Sequence, residues 1–163
     1  MRTLILGLGN PILTDDAVGM VVARAVHARV GGPDTDLVEA SVAGMDVLDI
    51  VSGYDKVVVI DAVKTRGGRA GDLHVLGPED LAATPRLASP HDVDFGLALQ
   101  LGQYLEKDMP REVRIYAVEV ADACTFGEGL TPAVAASVPT IVQTIVDREF
   151  ARQQRLPGGD RSP

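Results

Sequence analysis

The sequence lacks most of the residues on which disulfide-bonded, membrane-spanning and aromatic-cored proteins depend. Cys124 is its one cysteine, which excludes both an intramolecular disulfide and a four-cysteine zinc site. Tryptophan is absent and only 4% of the residues are aromatic, so the core has to be aliphatic. No apolar run is long enough to span a membrane. These features predict a cytoplasmic protein in a reducing compartment, with no membrane partner.

Positive charge is also scarce. Lysine and arginine total 15 against 23 aspartate and glutamate residues, which gives a formal net charge of -8. Nucleic-acid affinity rests largely on basic side chains that displace counterions from phosphates, so no nucleic-acid partner is expected. The length of 163 residues fits one domain. We assign this domain to residues 1–150 and interpret the polar, non-periodic residues 151–163 as an unfolded tail.

Short apolar runs bounded by turn residues predict buried strands along the chain. In chain order they are TLILGLG, DLVEAS, KVVVIDAV, DLHVL and VRIYAVEV. Helical patterns separate most of these runs, which predicts an α/β fold with a mostly parallel, doubly wound sheet of about five strands and helices on both faces. The run DLHVL follows its predecessor after a short turn-rich segment, so it is the candidate for an antiparallel strand.

Sequence patterns predict three helices in detail, and a further helix is predicted to begin at Met45-Asp46. The first carries an apolar stripe from Val18 to Val26 and ends at the stop signal Gly31-Gly32-Pro33. The second carries leucines at helical spacing from Leu97 to Leu105. The third begins at Thr131-Pro132, where threonine is the predicted N-cap and proline the first helical residue. Pro139 is expected to kink this helix or to delay its start.

Polar residues that follow the predicted strands form the candidate active site, because ligands of open α/β sheets bind beyond the carboxyl ends of the strands. Asp15 and Asp16 follow the first strand. Asp61 ends the apolar run KVVVI, and His91 stands at the start of a helix in SPHDVDF. Convergence of one of the two adjacent aspartates with Asp61 and His91 would place two carboxylates and one imidazole at one edge of the sheet.

Each of these residues also has an ordinary structural interpretation. Asp15, just ahead of an apolar helical stripe, is interpreted as an N-cap. Asp16 is either a site residue or a first-turn residue stabilised by the helix dipole. Asp61 either faces a cleft, a donor or a cation, or caps the following loop. His91 is either a ligand or a helix-start histidine.

Two chemistries suit two carboxylates and one histidine. These side chains are ligands for zinc, nickel or manganese, and three protein ligands leave an open position for water or substrate. The same trio also suits general acid-base catalysis without a metal of its own. The residues themselves leave both roles open.

The glycines after the first strand begin a dinucleotide-binding fingerprint that the chain does not complete. Gly7 and Gly9 match its first two positions, but the third is occupied by Ile12. Asp15 and Asp16 would also place negative charge where the pyrophosphate has to bind. The stretch GLGNP is shared with the peptidyl-tRNA hydrolases, but the tyrosine and the His-Asn pair of that family are missing here.

The remaining cysteine and histidines are assigned to structure. Cys124 with His91 as its base would make a nucleophile, but no local signature surrounds the cysteine. His27 lies inside the first predicted helix and His74 in the strand DLHVL. The sequence pattern places no acidic partner beside either histidine.

An ordered set of motifs resembles the hydrogenase maturation proteases, which trim the C-terminal extension from the nickel-containing large subunit of [NiFe]-hydrogenases. These motifs are GLGNPILTDDAVG, VAGMDVL, VVVIDAV, SPHDVDF and GLTPAV. The resemblance implies a three-layer α/β/α fold with metal-contacting residues at Asp16, Asp61 and His91. It further implies that these side chains engage the nickel already inserted in the large-subunit precursor, and that zinc or cadmium can occupy the same ligands.

The chain departs from the family at the loop after its second strand. Many relatives have a glycine-rich GGTxG segment where this chain reads Ala40-Ser41-Val42-Ala43-Gly44. Alanine and valine resist backbone angles that glycine admits, so a stiffer or different path is expected here. In the family this loop borders the substrate cleft, and the departure therefore bears on the substrate subtype.

The resulting hypothesis is a nickel-dependent endopeptidase that acts on a [NiFe]-hydrogenase large-subunit precursor. Asp16 and His91 are the expected ligands, and Asp61 is either a further ligand or the base that activates water. One alternative is a non-catalytic nickel-sensing chaperone or binding module for the same precursor. Another is a peptidyl-tRNA hydrolase-like esterase, which would bind tRNA in a strongly salt-dependent way.

Overall fold

The computed structural model describes residues 1–41, 46–77, 79–80, 102 and 108–151. A five-stranded sheet with the strand order β2-β1-β3-β5-β4 forms its centre. The strands are β1 (Thr3–Leu8), β2 (Thr35–Ala40), β3 (Lys56–Val63), β4 (Leu73–Leu76) and β5 (Glu112–Glu119). The described helices include a 3-10 helix (Thr14–Ala17), α1 (Val18–Val30), α2 (Asp46–Val51) and α3 (Pro132–Glu149).

The sheet confirms the α/β prediction, including its antiparallel member. Strand β1 pairs in parallel with β2 and β3, and β3 pairs in parallel with β5. Strand β4 is antiparallel to β5. The short connection from β3 to β4 leaves no room for a crossover helix, and a parallel return requires one.

The apolar runs are buried because helices cover both faces of the sheet. All residues of β1 and β3 are buried. Along β3, Val58 and Ile60 join the core beneath α1 and α3, while Val57 and Val59 join the core beneath α2. Successive side chains of a strand point to opposite faces, so an unbroken apolar run is what a central strand between two helical layers requires.

The helix predictions are confirmed where the structure describes the chain. Helix α1 ends at Val30 and its C-cap is Gly31. Helix α3 begins at Pro132 and runs through Pro139, so the proline does not delay its start. The predicted leucine stripe from Leu97 to Leu105 lies outside the described residues, as does the predicted tail from residue 152 onwards.

The start of α1 is pressed against the carboxyl ends of β1 and β3. A Cβ atom on Gly19 would lie 2.3 Å from the carbonyl oxygen of Leu8 and 2.4 Å from that of Ile60, so only glycine permits this approach. The chain leaves β1 for β2 on one side and returns to β3 on the other. The crevice between β1 and β3 is therefore the topological switch point, where ligands bind in doubly wound folds.

No helix in the described part of the chain is both long and apolar enough to cross a membrane.

Candidate active site

Asp16 and Asp61 lie at the switch-point crevice. The pairing of β1 with β3 ends at Gly7 and Ile60, and Asp61 is the next residue of β3. The 3-10 helix that contains Asp16 packs against β3. Both predicted carboxylates therefore lie at the same edge of the sheet.

Both carboxylates are buried and are oriented by backbone N–H groups. Asp61 is 1% exposed, and its Oδ1 accepts a hydrogen bond of 2.8 Å from the Ala62 N–H. Asp16 is 8% exposed, and its Oδ2 accepts a hydrogen bond of 2.8 Å from the Asn10 N–H. A buried carboxylate needs donors or a cation to replace its lost hydration, so this edge of the sheet is suited to hold positive charge.

Two unusual backbone conformations fold the loop that presents Asp16. Gly9 has φ of 144°, and a Cβ atom there would lie 1.9 Å from the backbone carbonyl oxygen of Asp16. Thr14 has φ of 47°, which is rare for a β-branched residue. The loop therefore folds back tightly on itself, and Gly9 is needed for this approach rather than for phosphate binding.

A cleft of about 720 Å³ opens beside Asp16. Its walls come from the segments that follow β1, β2, β3 and β5. They are formed by Gly9, Asn10, Leu13, Asp16, Ser41, Lys64, Ala121, Asp122, Ala123 and Cys124. The cleft is therefore assembled from the carboxyl ends of the parallel strands.

Charge in the cleft is mixed. The Lys64 ammonium donates a hydrogen bond to the Ala121 carbonyl oxygen. Hydrogen bonds from the Thr125 side chain and from the backbone N–H groups of Cys124 and Thr125 lower the pKa of the partly exposed Asp122 to about 2. Asp122 is therefore an anion throughout the pH range in which proteins normally work.

Of the predicted third ligand and the loop after β2 that departs from the family pattern, the structure describes only the start of the loop. His91 and residues 42–45 lie outside the described residues. Within the described ranges, no group of three or more His, Cys, Asp or Glu side chains is arranged to hold a metal ion. Ser41 is described: its hydroxyl donates a 2.7 Å hydrogen bond to the Gly9 carbonyl oxygen, which ties the loop after β2 to the cleft.

The interpretation of Asp15 as an N-cap is wrong. Neither the 3-10 helix nor α1 has a side-chain cap; their N-cap residues are Leu13 and Ala17. The fully buried Asp15 carboxylate turns instead toward the loop between β5 and α3, where it accepts hydrogen bonds from Thr131 and other residues. Thr131 is the N-cap residue of α3 by position, but its hydroxyl donates to Asp15 and not to the helix.

His74 has an acidic partner that the sequence pattern did not indicate. Its Nε2 lies 3.1 Å from Oε2 of Glu119, which is buried at the end of β5. Glu119 also accepts hydrogen bonds from the Thr65 N–H at 2.6 Å and the Thr65 hydroxyl at 2.9 Å. The sequence signal for this pair is a glutamate near the end of the apolar run VRIYAVEV. Its position is similar to that of Asp61 in the run KVVVIDAV.

His27 makes a structural contact, whereas Cys124 is exposed and takes no part in the described core. His27 Nε2 lies 3.1 Å from the Thr35 carbonyl oxygen, a contact between α1 and β2. Cys124 is exposed on the wall of the cleft. No described feature activates it as a nucleophile, and the base considered for it, His91, lies outside the described residues.

Known proteins resemble this chain over most of its length. The family model HycI, described as hydrogenase maturation protease, matches residues 20–148, a range that contains Asp61 and His91. Hydrogenase 2 maturation protease of Escherichia coli K12 is 26% identical over 148 residues, which cover 90% of this chain and 89% of that protein. Hydrogenase expression/formation protein HupD of Rhizobium leguminosarum bv. viciae is 22% identical, with 89% of this chain and 72% of that protein covered.

Solved structures share the fold. The hydrogenase maturating endopeptidase HybD from Escherichia coli superimposes with a TM-score of 0.79 at 24% identity, covering 95% of this chain and 94% of its own. The [NiFe] hydrogenase maturation protease HybD from Thermococcus kodakarensis gives 0.70 at 21% identity, covering 91% of this chain and 99% of its own.

Proposed function

This chain belongs to the hydrogenase maturation protease family, and on that premise we propose that it removes the C-terminal extension of a [NiFe]-hydrogenase large-subunit precursor. Its membership makes it an endopeptidase. The nickel ion is part of the substrate in this proposal, since the precursor brings it to the site. Two buried carboxylates at the switch-point crevice, Asp16 and Asp61, are the observation that carries the proposal.

The donor set suits a divalent cation. Carboxylate oxygen and imidazole nitrogen are ligands that nickel and zinc accept, and cadmium is expected to substitute for them. We assign Asp16 and Asp61 to the nickel of the precursor and add His91 on the strength of the SPHDVDF motif. Backbone N–H groups already orient both carboxylates, so little freedom is lost when a cation binds.

The cleft accommodates the polypeptide on either side of the scissile bond. Leu13, Ala121 and Ala123 supply apolar wall, while Asp122 contributes a lasting negative charge. Hydrolysis requires a water oxygen to attack the peptide carbonyl and a proton to reach the leaving nitrogen. Asp61 fits the role of the base that takes the proton of that water, as an alternative to acting as a ligand.

Incubation of the purified protein with nickel-loaded precursor tests the proposal, with the product masses read by mass spectrometry. We expect loss of the C-terminal extension with the wild-type chain and an intact extension with Asp16→Asn, Asp61→Asn and His91→Ala. The matched control is Asp34→Asn, which neutralises an exposed aspartate outside the cleft. An extension left intact by the folded wild type, under conditions in which a known maturation protease cuts its own precursor, would contradict the proposal.

Binding distinguishes processing from nickel sensing without cleavage. If the protein were a non-catalytic binding module, its Asp61→Asn variant would retain affinity for the precursor. Even the wild-type protein would then leave the precursor uncut. Calorimetric titrations of the protein with nickel-loaded precursor and, separately, with nickel-free precursor measure that affinity independently of cleavage. The endopeptidase proposal expects tighter binding of the nickel-loaded form together with cleavage by the wild type.

A further inference from the structure

The Asp15 carboxylate joins two loops that both line the cleft. It lies in the β1–α1 loop (residues 9–17) and accepts four hydrogen bonds from the β5–α3 loop (residues 120–131). Oδ2 accepts from the N–H groups of Ala121 and Asp122, both at 3.0 Å, and from the Thr131 hydroxyl at 2.9 Å. Oδ1 accepts from the Thr131 N–H at 2.7 Å.

This arrangement requires a carboxylate. An ionised aspartate only accepts hydrogen bonds and offers about four lone-pair sites, which matches the four donors around Asp15. An asparagine of the same shape would turn its NH₂ group toward at least one backbone N–H, whichever way the amide is oriented. Asp15 is also fully buried, so water does not replace a lost donor or acceptor there.

Further hydrogen bonds hold the same two loops together around Thr14. Its N–H donates to the Gly127 carbonyl oxygen at 3.0 Å, and its hydroxyl donates to the Thr125 carbonyl oxygen at 2.6 Å. The Gly127 N–H in turn donates to the Ile12 carbonyl oxygen at 2.9 Å. Thr14 holds its strained φ of 47° within these contacts, as expected where the surroundings over-determine a conformation.

We propose that Asp15 is a positioning residue for the peptidase reaction. By fixing Ala121 and Asp122, it sets part of the wall of the cleft that Asp16, its own neighbour in the chain, also lines. One buried carboxylate thus couples the placement of the metal-contacting Asp16 to the placement of the substrate wall. This inference rests on the proposed function only for its consequence in catalysis. The hydrogen bonds that Asp15 accepts from the β5–α3 loop, here called the clamp, are a property of the fold.

The kinetic test uses the full-length chain and nickel-loaded precursor. Asp15→Asn is expected to raise KM about tenfold, the size of one lost charge-assisted hydrogen bond, with kcat changed by less than about twofold. A purely structural role would instead lower the amount of folded enzyme, which reduces the apparent kcat and leaves KM unchanged. That second outcome would overturn the proposal.

Hydrogen exchange tests the clamp without reference to activity. The amides of Ala121, Asp122 and Thr131 are expected to exchange slowly in the wild type and at least about tenfold faster in Asp15→Asn. Exchange in β1 and β3 is expected to stay the same. Unchanged protection at the three amides refutes the inference even if the precursor is cut, whereas lost protection without cleavage by the wild type refutes only the proposed function.

A pair of Thr131 variants covers the case in which Asp15→Asn does not fold. Thr131→Val keeps the shape and the N–H but removes the hydroxyl donor, while Thr131→Ser retains that donor. We expect Thr131→Val to raise KM and to speed exchange at Ala121 and Asp122, each about threefold, and Thr131→Ser to keep wild-type values. Equal behaviour of the two variants would count against the clamp.

Discussion

Lys56 Nζ lies 2.7 Å from Glu149 Oε2, and both side chains are only 7% exposed. The pair ties the first residue of β3 to the last turn of α3, at the edge of the sheet opposite the crevice. The Tyr116 hydroxyl also donates to the Glu149 carboxylate, and the Phe150 ring lies 6.0 Å from the Lys56 ammonium. This edge therefore holds buried charge for structural reasons.

Removal of the Lys56 charge is expected to destabilise the fold severely. Lys56→Met leaves Glu149 buried without its cation and should lower the free energy of unfolding by about 3 kcal/mol. Glu112→Gln, which removes the half-exposed second partner of Lys56, should cost about 1 kcal/mol or less. Urea denaturation measures both. The double variant Lys56→Met/Glu149→Gln should recover part of the loss, and equal losses in the two single variants would show that burial of the pair is unimportant.

Alkaline pH is expected to weaken the fold through Tyr116. Burial, reinforced by the hydrogen bond to Glu149, raises the pKa of Tyr116 well above its usual value near 10. The folded state therefore prefers the neutral phenol, so this contribution is complete below about pH 10 and is lost progressively above it. Melting temperatures measured from about pH 8 to pH 11, together with tyrosinate absorbance, report this decline.

Tyr116→Phe serves as the variant for that pH series. It should be less stable than the wild type at neutral pH, because the Glu149 carboxylate loses a donor, and its stability should fall less steeply above pH 10. Tyr54→Phe is the comparison, since the pKa of the less buried Tyr54 is also raised by burial and by its hydrogen bond with Asp36. If Tyr116→Phe leaves the slope of stability against pH unchanged, groups other than Tyr116 cause the loss of stability at alkaline pH.

Substitution of Gly9 is expected to disturb the site directly. Gly9→Ala combines a φ of 144° with a Cβ placed 1.9 Å from the Asp16 carbonyl oxygen, so the loop has to move. We expect a loss of about 3 kcal/mol in unfolding free energy and loss of precursor cleavage. Gly32→Ala is the control, because a Cβ there meets nothing within 4 Å. Similar melting temperatures for the two variants would exclude the steric argument.

The pair of Glu119 and His74 is expected to contribute to stability and not to peptide cleavage. Glu119→Gln keeps the shape but weakens the hydrogen bonds to Thr65 and the contact with His74, and should cost about 2 kcal/mol. The kcat and KM for the precursor should remain those of the wild type at a temperature at which the variant is folded. Altered kinetics in a fully folded variant would instead connect this carboxylate to the active site.

Local pattern predicted the elements of the fold because it reports burial and backbone preference directly. The runs KVVVIDAV and VRIYAVEV become β3 and β5, since strands covered on both faces need apolar residues at every position. Thr131-Pro132 begins α3 because proline fits the first helical residue. Parallel pairing then placed the carboxyl ends of β1 and β3 at one edge of the sheet, the edge at which Asp16 and Asp61 were expected.

Contacts between distant segments were beyond the reach of such patterns. Asp15 precedes a helical stripe as an N-cap does, yet its partner Thr131 is 116 residues away in the chain. The Asp15 carboxylate accepts from the larger set of hydrogen-bond donors. These donors come into place only after α3 has packed beside α1. His91 remains a prediction of the sequence as a third ligand.

By itself, the sequence determined the order of the described strands and helices along the chain, the largely aliphatic core and the family to which the chain belongs. Only the tertiary structure decided which aspartate faces the crevice and which one clamps a loop. The two carboxylates are adjacent in sequence and identical in chemistry. The difference arises because hydrogen-bond donors from the β5–α3 loop surround Asp15, whereas Asp16 lies on the wall of the cleft.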